Sequence, residues 1–142
     1  MYDENQLLAE ILNQVKIKKF PEEYVELTRD MEVLELPAGD EISLYRELEG
    51  IYLLVDQHRI FFNNPILAKF CYYAAKNGSK TIAVPPPDKA KKAVKRYLED
   101  LSNIKGLIDE KVDALHLTGG ETENIKEKMY MSLGLYGIIE PV

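Results

Sequence analysis

The sequence is poor in the residues that most often carry disulfides, metals and membrane spans. It has one cysteine, two histidines and no tryptophan among 142 residues. One cysteine cannot form an internal disulfide, and the histidines show no local metal-ligand spacing. No apolar run approaches the length of a membrane span, and acids near the N-terminus are unlike a signal peptide. We therefore expect a cytoplasmic protein with no metal, no cofactor and no membrane partner.

Charge is unevenly divided along the chain, whose net charge is -6. Residues 1–60 hold fourteen acids against six bases, residues 61–105 hold three against nine, and residues 106–142 hold seven against three. A basic middle therefore separates two acidic ends. Lysine outnumbers arginine by fourteen to four and glutamine is scarce, which favours a thermophilic source, although seven asparagines count against it.

Length and apolar periodicity predict a single α/β domain, with α+β as the alternative. The 142 residues suit one compact core, with a helical segment over 1–30 and the core over 31–142. Alternating and continuous apolar runs predict a mixed sheet with about five helices packed on it. The predicted strands lie near residues 31–36, 42–48, 51–55, 80–84 and 112–117.

The stretch 50–87 is central to this prediction. Its continuous apolar residues 51–55 indicate a strand covered on both faces. Asn-Pro at 64–65 is typical of a helix start, and Asn-Gly at 77–78 is typical of a helix end. Prolines 85–87 end a second strand. The connection between the two strands is long enough for a right-handed crossover, which would make them parallel neighbours.

A polar corner follows the central strand, where Asp56, His58 and Arg59 come directly after the apolar run. Open α/β sheets bind ligands beyond the carboxyl ends of their strands. Asp56 and His58 are therefore predicted as an acid and base pair, and Arg59 as a clamp for an anionic group. The competing interpretation is a hairpin turn with solvated charges, since placement by fold analogy is weak support.

A second candidate loop runs from His116 through Thr118, Gly119 and Gly120. A strand that leads into two glycines and then a helix resembles the geometry that holds a phosphate. These four residues are predicted to bind a ligand. The run lacks the spacing of a phosphate loop, and Glu121 would repel an anion. The alternative is a helix-capping turn.

A basic segment lies on the predicted helix 88–103. Lys89, Lys92, Lys95 and Arg96 share the face opposite its apolar stripe. Clustered cations attract phosphate backbones or an acidic protein surface. No aromatic residue interleaves with them for base stacking, so nucleic acid is the less favoured partner. A solvated helix face is the competing interpretation.

Three functions remain open. The leading hypothesis is an intracellular binding or regulatory module, without enzymatic activity, that forms a homo-oligomer through exposed tyrosines and methionines. The second is an enzyme that acts on an anionic, phosphorylated or nucleotide-like small molecule, with the 56–59 and 118–121 loops in one pocket. The third is nucleic-acid association through the basic helix. The residues of the predicted self-association surface are Tyr72, Tyr73, Met129, Tyr130 and Met131.

Overall fold

The computed structural model describes residues 4–14, 18–26, 28–117 and 120–132. Over these ranges the chain forms four helices and five strands, which confirms the predicted mixture of both. The helices are α1 (Glu4–Gln14), α2 (Pro65–Lys76), α3 (Pro87–Asp113) and α4 (Glu121–Ser132). The strands are β1 (Glu32–Glu35), β2 (Ile42–Glu47), β3 (Gly50–Val55), β4 (His58–Phe62) and β5 (Thr81–Val84).

The strands form two antiparallel sheets, so the prediction of one mixed sheet was wrong. One sheet is the meander β2-β3-β4, and the other pairs β1 with β5. The predicted parallel pairing of β3 with β5 was also wrong. β3 has β2 on one side and β4 on the other, so neither of its edges is open to β5. β5 instead pairs antiparallel with β1, with Glu35 opposite Thr81.

The predicted strand at 112–117 was also wrong, because α3 continues to Asp113. Gly106 does not end this helix. Leu101, Ile104, Ile108 and Val112 recur at helical spacing and are all buried. Packing of this stripe outweighs the roughly 1 kcal/mol that a mid-helix glycine costs.

Within the predicted helical segment 1–30, residues 21–24 form a single turn. The amides of Tyr24 and Val25 both donate to the Pro21 carbonyl, at 2.9 and 3.2 Å. The predicted helix between residues 64 and 78 is confirmed. Its cap Asn64 accepts a bond from the Ile66 amide at 3.0 Å.

The described residues divide into two compact units. Residues 19–97 form the sheet unit, which contains both sheets, α2 and the first part of α3. Helices α1 and α4, with α3 from residue 98 onward, belong to the helical unit. The prediction of one domain stays a prediction. None of the helices in the described ranges is both long and apolar enough to cross a membrane.

The core of the sheet unit lies between the meander and α2. Ile51, Leu53 and Val55 alternate along β3 with their side chains buried, and this inner face packs on α2. α2 is apolar around most of its circumference, so it also packs away from the sheet. There Phe20 contacts the rings of Phe70, Tyr73 and Tyr97, with centroids at 5.2, 6.3 and 4.5 Å.

Candidate functional site

The predicted acid Asp56 lies in the two-residue turn between β3 and β4. Val55 pairs with His58, which leaves Asp56 and Gln57 as the turn, and Asp56 has a positive φ of 54°. Its Oδ1 accepts bonds from the Glu41 amide at 2.9 Å and the Asp40 amide at 3.3 Å. Its own amide donates to the Glu41 carbonyl at 2.8 Å. Asp56 therefore holds the segment before β2 against the hairpin.

Gly39 allows this close approach. A Cβ atom at Gly39 would lie 2.7 Å from Asp56 Oδ2 and 2.8 Å from Val55 Cγ1. Both distances are shorter than real Cβ contacts allow, so a larger residue would push the segment away from the turn. The segment that contains Gly39 therefore packs directly against the polar corner.

Asp56 and His58 line one open depression of about 470 Å³, together with Ala38, Glu41 and Gln57. Two of the five lining residues are carboxylates and His58 is the only base among them. A phosphate or other anion would meet repulsion here. In the part of the chain that the structure describes, no group of three His, Cys, Asp or Glu side chains is placed to hold a metal ion.

Arg59, the predicted anion clamp, lies on the other face of the sheet. Successive side chains of a strand point to opposite faces, so Arg59 diverges from His58. Its Cζ lies 4.4 Å from the centroid of the Tyr52 ring and 5.6 Å from that of Tyr45. Its Nη2 lies 3.5 Å from Glu47 Oε1. The structure therefore separates the clamp from the predicted acid and base pair.

The outer face of the meander carries a row of three aromatic rings. Strand register places Tyr45 opposite Tyr52 and Tyr52 opposite Phe61. The ring centroids are 6.1 Å apart in the first pair and 5.3 Å apart in the second. Tyr45 is 43% exposed and Phe61 is 47% exposed. We call Tyr45, Tyr52, Arg59 and Phe61 the aromatic face.

Hydrogen bonds orient the tyrosines of the aromatic face. The Tyr45 hydroxyl donates to Glu47, and this bond together with the charge of Glu47 raises the pKa of the Tyr45 phenol. The Tyr52 hydroxyl donates to Glu49 at 3.4 Å. Glu47 also pairs with Arg59, so one carboxylate positions a ring and the guanidinium. The face is therefore organised before any partner arrives.

Gly50 makes room for the third ring. A Cβ atom at Gly50 would lie 2.7 Å from Cε2 of Phe61 and 2.5 Å from the Phe62 carbonyl oxygen. Phe61 therefore covers the glycine of the neighbouring strand, an arrangement that protects exposed backbone in a sheet. Leu48, in the adjacent β2-β3 turn, is fully exposed.

The second candidate loop connects two helices and not a strand to a helix. His116 lies just after the end of α3, in a left-handed conformation with φ of 53°, and its amide donates to the Asp113 carbonyl at 3.2 Å. Thr118 and Gly119 lie outside the described residues. Gly120 precedes α4, and its carbonyl accepts from the Asn124 amide at 3.2 Å. A ligand-binding role for this loop, and a pocket shared with the 56–59 corner, stay predictions.

The predicted basic residues lie on the exposed face of α3. Lys89, Lys92, Lys95 and Arg96 are all exposed, and so is Lys91. The opposite side of this part of α3 is buried. We call these five residues the basic face. The buried residues opposite them are Ala90, Ala93, Val94 and Tyr97.

The predicted self-association surface was wrong for four of its five residues. Tyr72, Tyr73, Met129 and Tyr130 are buried, and only Met131 is substantially exposed, at 51%. Tyr72 and Tyr73 lie on α2, which packs on more than one side. Tyr130 donates its hydroxyl to Asp109 of α3. The exposed aromatic residues are instead on the meander. Side chains alternate along β2, so Tyr45 lies on the outer face of the sheet and the apolar side chains of that strand lie on the inner face.

No protein-family model, curated protein or solved structure matches the chain.

Proposed function

We propose that this chain is a binding module that recognises a protein partner through the aromatic face. The observation that carries the proposal is the row of three rings, Tyr45, Tyr52 and Phe61, on the outer face of the meander. The outward faces of antiparallel sheets are commonly polar. A row of exposed aromatic side chains in this position lowers the solubility of a protein unless a partner covers it.

The residue types favour protein recognition. Tyrosine, phenylalanine and arginine are enriched at the centres of protein interfaces, and tyrosine and arginine supply much of the binding energy there. Glu47 and Glu49 hold the tyrosines and Arg59 in place. Because these side chains are already oriented, a partner would lose less conformational entropy on binding.

The charges of the aromatic face argue against nucleic acid as its partner. Single-stranded nucleic acid binds where stacking rings lie within a positively charged groove. Here Arg59 is the cation beside the rings, and it is paired with Glu47. Glu49 adds a second carboxylate at the Tyr52 hydroxyl. A neutral or basic protein surface fits this environment better than a phosphate backbone.

Catalysis on an anionic small molecule has less support. Its favourable feature is that Asp56 and His58 share a depression. However, Asp56 Oδ1 already accepts two backbone amides, and Arg59 lies on the opposite face of the sheet. A binding function therefore accounts for more of the observed geometry.

Selection from a phage-displayed library of random peptides tests the proposal. We expect selected peptides to bind the wild type and to bind the Tyr45→Ala/Phe61→Ala variant at least tenfold more weakly by calorimetry, since losing buried ring contacts costs more than about 1.4 kcal/mol. Val33→Ala is the matched control. Val33 is 68% exposed on β1, in the other sheet, so its removal should leave the affinity unchanged.

Circular dichroism would show that both variants keep the wild-type fold. Peptides that bind the double variant as tightly as the wild type would contradict the proposal.

A further inference from the structure

We infer that the aromatic face binds the basic face of α3 on a second copy of this chain, so that the protein associates head to tail. The inference rests on the proposed function, because it names the partner of the same surface. Its two components are Tyr45, Tyr52, Arg59 and Phe61 on one copy and Lys89, Lys91, Lys92, Lys95 and Arg96 on the next.

The aromatic face already holds one cation in the geometry that the contact requires. The Arg59 guanidinium lies 4.4 Å from the Tyr52 ring centroid and 3.5 Å from Glu47. A cation within about 6 Å of a ring centroid is attracted by the ring, and Lys and Arg both interact this way. Tyr45 and Phe61 keep nearly half of their surface exposed. Their rings can accept further cations from a partner.

The charges of the two faces are complementary. Residues 89–96 carry five cations and no acid, and all five are exposed. The aromatic face has two carboxylates, on Glu47 and Glu49, that accept hydrogen bonds from its tyrosines, against one cation, Arg59. Such complementarity steers two copies into one orientation and disfavours contacts between like faces.

The two faces also match in length. Lys89, Lys92 and Arg96 are spaced by three and four residues, so they lie along one side of the helix. At 1.5 Å per residue they cover roughly 10 Å. The aromatic row crosses the three strands in two steps of 6.1 and 5.3 Å. A helix lying across the strands would therefore place its cations along the row.

The placement of both faces within the sheet unit favours contact between copies. The inner face of the meander packs on α2, so the aromatic face points away from α2. Tyr97 of α3 contacts Tyr73 of α2 at 5.5 Å between centroids, and the basic face lies on the exposed side of α3. Both faces therefore point outward. Because they are different surfaces, the contact is heterologous and builds rings or open chains.

Light scattering coupled to size exclusion, over a range of protein concentrations, tests the inference. We expect the mass of the wild type to rise above that of a monomer with concentration at low salt, and to fall as salt screens the charges. The aromatic-face variant Tyr45→Ala/Phe61→Ala and the basic-face variant Lys92→Glu/Arg96→Glu should each associate at least tenfold more weakly. A Lys80→Glu/Lys111→Glu control makes the same charge change elsewhere and should associate like the wild type.

Mixing the two defective variants gives the sharpest readout. Each variant keeps the face that the other has lost, so an equimolar mixture should form a dimer of one copy of each. It should form nothing larger, because both outer ends of that dimer are defective. If the copies instead associated through two identical faces, mixing the two variants would not restore association.

Three results would overturn the inference. The first is a wild-type protein that stays monomeric at its highest soluble concentration. If selected peptides still bind the aromatic face of that monomer, the proposed function stands and only the self-association is wrong. Association that survives in the aromatic-face variant would place the contact elsewhere. Finally, a monomeric protein that binds a mixed-sequence single-stranded oligonucleotide, with loss of binding in Lys92→Glu/Arg96→Glu, would assign the basic face to nucleic acid.

Discussion

Asp56 combines a positive φ with an acceptor role for two backbone amides, and both features are local to one residue. Asparagine and aspartate adopt the left-handed conformation more readily than other residues with a side chain. The same side chain then bonds the amides of Asp40 and Glu41. The sequence pattern could identify Asp56 as a turn residue or as a catalytic acid, but not the partners of its carboxylate.

Replacing Asp56 with alanine should lower the free energy of unfolding by about 1–3 kcal/mol, because it removes both hydrogen bonds and strains the positive φ. Asp56→Asn keeps a side-chain acceptor and the conformational preference, so its loss should be smaller. Urea denaturation of the three proteins measures the difference. Equal stability of Asp56→Ala and wild type would show that the turn does not depend on this side chain.

Cys71 lies on α2 with none of its surface exposed, and burial raises the pKa of its thiol to about 12 from 9.0. The thiol is therefore protonated at neutral pH, as suits a small core residue. Between pH 9 and pH 12 the unfolded chain loses this proton and the folded chain keeps it. The stabilisation is present in full below pH 9 and is lost as pH rises toward 12.

We therefore expect wild-type stability to fall more steeply above pH 9 than that of Cys71→Ala, by an amount on the order of a few kcal/mol at the alkaline end. Urea unfolding of both proteins from pH 7 to pH 11 gives the two curves. The comparison uses the change in unfolding free energy with pH and not its absolute value, because the substitution also leaves a small cavity that lowers stability at every pH. Parallel curves would mean that the thiol ionises alike in both states.

At the scale of elements, α3 and α4 are joined by a cluster of polar side chains within the helical unit. Tyr130 donates its hydroxyl to Asp109, and both burial and this carboxylate raise the pKa of Tyr130. Lys126 lies 3.0 Å from Asp113 and 3.9 Å from Asp109. Lys105 lies 3.4 Å from Asp109, which therefore contacts residues of both helices.

Tyr130→Phe should destabilise the protein by about 1–2 kcal/mol, because it removes a buried donor to a charged acceptor. The matched control is Tyr45→Phe, which removes an exposed hydroxyl that also donates to a carboxylate. Its effect should stay within about 0.5 kcal/mol. Thermal unfolding of both variants makes the comparison. A Tyr130→Phe variant as stable as Tyr45→Phe would mean that burial adds nothing to this bond.

Four of the five predicted strands are present near their predicted positions, because each has a clear local pattern and a turn beside it. The fifth prediction, residues 112–117, was wrong since Val112 belongs to a longer helical stripe that begins well before Gly106. A short apolar run fits a strand and a buried helix equally well. Only the packing of Ile108 and Val112 on the same face as Leu101 resolves this choice.

At the scale of the whole molecule, the division of the strands into two sheets depends on which strands pair. The β-hairpin at Asp56 gives β3 a second neighbour, so β5 pairs with β1. The pairing of β2, β3 and β4 also creates the aromatic face. Tyr45, Tyr52 and Phe61 are seven and nine residues apart in sequence, and no local spacing relates them. They become one row only through the antiparallel register of three strands.

The sequence alone determined the mixture of helices and strands, both ends of α2 and the exposed position of the basic residues on α3. These follow from local rules: side-chain period, capping residues and the separation of charge from an apolar stripe. The tertiary structure decided the two sheets, the separation of Arg59 from Asp56 and the aromatic face. Strand pairing joins residues that are distant along the chain, and a shift of one residue would turn every side chain to the other face. The charge of the basic face was readable from the sequence, whereas its complement on the meander exists only once that register is set.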